Sequence, residues 1–278
     1  MPLLPRFAFD ESAARYSLTR RAPTLEVNPT QRSTIIVACI YFLVIIVLWH
    51  FPILKYIIYP FKLLTVGFHE FGHAFAGVLT CARIEKHTSL VDALQSISLD
   101  PHEGGATRMR GGNPYITLPA GYLGSSLIGA ALIACGFDEK ASKIASIIVG
   151  AFFVVTLFWA RKSIISWLLI LGMAALIVMF WFIADAIALR YLILFIGVMS
   201  CMYSVWDIID DTISRKVNES DASAFAREIG CFPPQVWGVI WLFISIGFFA
   251  AGILVGIAAF KKSADQQRAE NENFLNPR

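Results

Sequence analysis

The chain has 278 residues, of which 57% are hydrophobic and 15% charged, with a net charge of +3 and a mean hydropathy of +0.65. A soluble domain carries roughly 25% charged residues and under half apolar ones, so a soluble enzyme and a disordered chain are excluded. A charge of +3 is also too small to argue for a nucleic-acid partner. A transmembrane helix needs about 20 mostly apolar residues. With the polar ends set aside, the expected fold is an all-α polytopic membrane protein of about six to seven transmembrane helices.

In chain order, residues 1–32 read as a polar N-terminal tail with several prolines and with Arg20, Arg21 and Arg32. No secretory signal is evident, so the first apolar segment, 33–50, is expected to act as an uncleaved anchor. After the break at Phe51-Pro52, a second apolar stretch covers 53–80 and contains Pro60, which is predicted to kink or restart the helix.

That second stretch contains His69-Glu70-Phe71-Gly72-His73, an HExxH pattern. On a helix, positions i and i+4 share a face, so both imidazoles can ligate one zinc ion. Zinc lowers the pKa of bound water towards 7, and Glu70 is placed to take its proton. Ionisable groups where lipid should surround the chain are expensive and by default mark a functional site. Two histidines and a glutamate on one face need a shared reason, and a metal ion is the simplest.

Residues 81–114 form the longest polar interior stretch. Within it, 96–100 and 106–110 flank Pro101-His102-Glu103-Gly104-Gly105, which predicts a short β-hairpin with a Gly-rich turn. Irregular backbone at membrane depth survives only against protein or a water-filled cavity, so this insertion is a candidate lining for the site. Spans are then expected at about 115–137, 142–160, 164–188, 191–209 and 236–260. A polar loop at 210–235 separates the last two. Small residues Ala120, Gly121, Gly124, Ser125 and Gly129 lie on the first of these and allow close helix approach. The membrane domain is thus 33–260, and 261–278 is a charged C-terminal tail expected to be disordered.

The five cysteines Cys39, Cys81, Cys135, Cys201 and Cys231 form no CxxC pair and read as small apolar residues. With seven spans, the N-terminal tail shares a side with 81–114, 161–163 and 210–235. The Lys/Arg excess of that side points to a cytosolic N-terminus. The sequon Asn218-Glu219-Ser220 would then face the cytosol and stay unused.

A catalytic zinc has three protein ligands and an open position. Candidates for the third are His87, Asp100, His102 and Glu103 in the polar loop, and Asp185, Asp207, Asp210 and Asp211 further on. Asp207 is the deepest acid at the end of its span. Asp210 and Asp211 suit an interfacial position, and Asp185 suits snorkelling or a local pair with Arg190.

Four pieces together resemble the site-2 protease family of intramembrane zinc metallopeptidases, in its peptidase-like branch of bacterial, plant and fungal membrane proteins. They are HEFGHAFAG at 69–77, LDPHEGGATRMRGG at 99–112, AGYLGSSLIG at 120–129, and VWDIIDD at 205–211 followed by the polar segment 217–222. The resemblance implies one buried zinc held by His69, His73 and a distal Asp, with Glu70 as general base. Asp207 is the best match to the distal Asp and Asp210 the second choice. The family's usual distal motif, an Asn-Pro stretch ending in Leu-Asp-Gly, is not present. The implied activity is hydrolysis of a peptide bond in or near a transmembrane segment of a membrane-protein substrate within the lipid bilayer. The alternative is a non-catalytic adaptor or trafficking protein on the same scaffold. A metal transporter is disfavoured because no internal repeat or second broken helix is visible.

Overall fold

The computed structural model describes residues 26–51, 53–81, 97–100, 104–107, 112–159, 164–183, 187–213 and 220–275. Ten helices and two strands are assigned among these residues. They are α1 (Pro29–His50), α2 (Lys55–Leu79), β1 (Ile97–Asp100), β2 (Gly104–Thr107), α3 (Pro114–Thr117), α4 (Ala120–Cys135), α5 (Glu139–Trp159), α6 (Ile164–Phe182), α7 (Ile187–Ile213), α8 (Asp221–Ile229), α9 (Pro234–Ala259) and α10 (Ala264–Leu275). The strands pair antiparallel, with Ile97 opposite Thr107 and Asp100 opposite Gly104, and both approach α2. Residues 82–96 and 101–103, which carry His87, His102 and Glu103, lie outside the described residues, as do 184–186 with Asp185.

Among the described residues, four helices are long and apolar enough to cross a membrane: Pro29–His50, Glu139–Leu157, Ile187–Trp206 and Pro234–Ala259. Ala120–Cys135 and Trp167–Phe182 are shorter apolar helices. How each is buried follows from its pattern. α1 starts cleanly because Asn28 and Gln31 make a reciprocal capping box and Pro29 occupies the first turn. It buries a stripe of Gln31, Thr34, Ala38 and Ile45, while Ile36, Leu43 and Val47 face outwards. Outward Ile, Leu and Val on a helix with all its backbone bonds internal is the surface that lipid accepts. α7 is the opposite case: Leu189, Ile193, Leu194, Ile196, Val198 and Met199 are all fully buried, so it forms the centre of the bundle.

Small residues let α4 reach α7 and α9. A Cβ on Gly129 would lie 2.6 Å from Cys201 Sγ, one on Gly197 would lie 2.7 Å from the Ile133 nitrogen, and one on Gly252 would lie 2.7 Å from the Ala130 carbonyl oxygen. Serine hydroxyls bridge the same interfaces, Ser125 to Ser204 at 2.7 Å and Ser126 to Ser245 at 2.9 Å. Pro60 does not restart its helix. α2 runs through it from Lys55 to Leu79, giving up the bond that a residue-60 N–H would have made to Tyr56.

Two expectations are corrected. Seven spans would put the termini on opposite faces. Instead, Gln31 Nε2 donates to the carbonyls of Ile257 (2.8 Å) and Phe260 (2.7 Å), and Asn28 Nδ2 donates to that of Lys261 (3.0 Å). The start of α1 and the end of α9 therefore share one end of the bundle, where seven spans would separate them. The charged C-terminal tail is also ordered over Ala264–Leu275. Its Gln267 is buried, accepting from Arg190 Nη1 at 3.1 Å and donating to the Phe137 carbonyl at 3.2 Å. The charge of the tail hid a single buried polar anchor.

Candidate metal centre

The opposite end of α4 meets α2. Gly72 has no side chain where one would strike the Ala120 carbonyl, so the two helices pack backbone to backbone. This sets His69 and His73, on successive turns of α2, against the first turn of α4. Both are buried, at 7% and 8% exposure, and Glu70 beside them is 5% exposed. The two Nε2 atoms are 3.0 Å apart.

His73 Nδ1 donates to the Thr117 carbonyl of α3 at 2.7 Å. A carbonyl cannot donate, so Nδ1 carries a proton and Nε2 faces the centre. His69 is oriented by packing: the Tyr122 ring meets it edge-on at 4.7 Å. Its Nδ1 is buried with no hydrogen-bond partner among the described residues.

A third group arrives from α8. Asp221 Oδ2 lies 3.1 Å from His69 Nε2 and 3.0 Å from His73 Nε2. α8 is built to deliver it. Ser220 caps the helix by accepting from the Ser223 N–H, and Gly230 ends it in the left-handed region at φ 70°. Ala222 and Phe225 are buried in one cluster with Tyr122, Ile208 and Trp241. Burial raises the Asp221 carboxyl, but the charge of His73 and the hydrogen bonds of both imidazoles outweigh it. They hold the carboxyl well below the usual carboxylate range.

Sequence reasoning put the third ligand at Asp207, with Asp210 second. Both positions fall on the last turns of α7, and their side chains lie outside the described residues, as do those of Asp211 and of Asp100 on β1. The carboxylate that the structure brings to the imidazoles is Asp221, from the polar segment 217–222. Among the described residues, His69, His73 and Asp221 are the one group able to hold a metal ion.

The three side chains fit such an ion. Two imidazoles and a carboxylate are the donors of a transition-metal site. Tetrahedral bonds of about 2.0–2.1 Å would space ligand atoms roughly 3.3 Å apart, close to the 3.0–3.1 Å seen. The space beside them is kept by Gly121, where a Cβ would intrude to 2.5 Å from His69 Nε2.

Comparison with the curated proteins and with the solved structures gave no match. The family model described as Peptidase M50B-like matches residues 37–252, a stretch that includes α2, α4, α7 and α8 and hence every residue of this centre. On that match the chain belongs to the Peptidase M50B-like family, within the site-2 protease group.

Proposed function

We propose that the protein is a multi-pass integral membrane zinc endopeptidase that hydrolyses peptide bonds in or near transmembrane segments of membrane proteins. His69, His73 and Asp221 hold one zinc ion and Glu70 is the general base. The observation that supports this best is the convergence of Asp221 Oδ2 and the two histidine Nε2 atoms within 3.1 Å on an HExxH helix.

When bound, the ion supplies an acidified water and a positive charge beside the scissile carbonyl. The chain's own residues do the rest. Glu70 follows His69 directly on α2 and is shielded from bulk water, where it takes a proton from the attacking water and returns it to the leaving amine. Thr117 and Tyr122 keep the two rings in their ligating orientations. A substrate helix must unwind first, because its backbone bonds are internal. The two-stranded sheet beside α2, whose outer edges are unpaired among the described residues, is the surface proposed to receive the unwound stretch.

The test is Glu70→Gln in the full-length protein, comparing membrane proteomes of cells carrying either form. Substrates should accumulate uncut with the variant while purified variant keeps its zinc. Continued cleavage by Glu70→Gln would overturn the role given to Glu70.

A further inference from the structure

Asp221 comes from a short helix that joins the bundle through an aromatic contact on its buried face. Phe225 is one turn further along α8, at i+4 from Asp221, so the two side chains share a face. Its ring packs edge-on to Trp237 at 4.8 Å and tilted to Trp241 at 5.2 Å, both on α9, with Tyr115 beyond at 6.4 Å. Trp241 lies 5.5 Å from Tyr122 on α4, and Tyr122 lies 4.7 Å from His69. The contacts close a ring: Asp221, Phe225, Trp241, Tyr122, His69 and back to Asp221. Phe225 therefore sets the position of the carboxylate through its own helix and bears on His69 through two intervening rings.

Resting on the metal centre proposed above, we infer that Phe225 is a positioning residue for metal binding: seated between Trp237 and Trp241, it fixes α8 so that Asp221 meets the two imidazoles. Truncating it removes the contact that orders α8 while leaving every ligand atom in the chain. Aromatic pairs of this kind stabilise their contact beyond the area they bury. Residues that orient ligands change metal affinity by roughly 10–100-fold.

The experiment titrates purified full-length protein with zinc against a competing chelator. Cobalt is used in parallel to read the coordination sphere from its visible absorption. Phe225→Ala should weaken zinc binding by roughly 10–100-fold, and its cobalt spectrum should move towards that of Asp221→Asn. Phe225→Leu, which refills most of the space, should recover a large part of the affinity. Phe153→Ala, a cavity in the separate cluster around Phe68 and Val149, should lower thermal stability and leave zinc affinity unchanged. If Phe225→Ala binds zinc like wild type, the inference is overturned. It is equally overturned if Phe153→Ala weakens binding as much, since the effect would then be general loosening. If the wild-type protein binds no zinc, the metal centre itself fails, which is a separate result.

Discussion

Gly121 of α4 lies flat against His69 of α2: a Cβ at position 121 would stand 2.5 Å from His69 Nε2 and 2.6 Å from Cε1, and it would strike His73 Nε2 as well. Glycine is the residue that leaves the ligand atoms uncovered. Gly121→Ala should raise local helix propensity, since alanine is favoured over glycine by about 1 kcal/mol within a helix. Zinc affinity should nevertheless fall by roughly tenfold or more. Chelator competition and thermal denaturation on the same sample read the two effects separately. Unchanged zinc binding would mean that the ion does not sit beside Gly121.

The second prediction separates two carboxylates. Asp221→Asn removes the charge that both imidazoles face at 3.0–3.1 Å, so the purified variant should hold much less than one zinc per chain. Asp207→Asn should stay near one. Metal content by mass spectrometry decides it, and the reverse pattern would restore Asp207 as the ligand.

These two carboxylates also mark what was legible in the sequence. His69 and His73 are four residues apart on one helix with Glu70 between them, and a local spacing survives any tertiary arrangement. Asp221 meets His73 across 148 positions. Its own neighbourhood signals a helix: a Ser cap at 220, Gly230 after it and Pro234 opening the next. Nothing in that pattern says that α8 turns back to bring Asp221 to α2. Asp207 stands out in the sequence as an acid deep within an apolar span, whereas Asp221 reaches the centre from outside the spans. That α1 begins where α9 ends was hidden for a similar reason. α2 reads as a span by its apolar content, while hydrogen bonds between Gln31 and the end of α9 are visible only in three dimensions.

The third prediction concerns the α4–α7 interface. Gly197 approaches the backbone of α4 with no room for a side chain, whereas Ser204 contributes one hydroxyl bond to Ser125. Overpacking costs about 1–3 kcal/mol, and interhelical hydrogen bonds in membranes average about 0.6 kcal/mol. Gly197→Val should therefore destabilise the protein well beyond Ser204→Ala in detergent unfolding. Equal effects would mean that the helices have freedom to separate.

The last prediction concerns the end of the bundle remote from the metal centre. Gln267 is 2% exposed and is the polar anchor of α10. Its Oε1 accepts from Arg190 Nη1 and from the Glu139 N–H at 3.3 Å, while its Nε2 donates to the Phe137 carbonyl. Gln267→Leu keeps the approximate size of the side chain and removes all of these bonds. Arg190 retains Tyr191 as an acceptor at 3.1 Å, but the Phe137 carbonyl loses its Gln267 donor. Leaving buried groups unsatisfied costs about 1–3 kcal/mol each, which outweighs the gain from a more apolar side chain. The variant should unfold at lower denaturant, and limited proteolysis should cut first within 264–275. Zinc affinity should not change, because the ligands lie at the other end of α4. A variant that resists protease like wild type would show that α10 is held by its other contacts and that Gln267 does not anchor it.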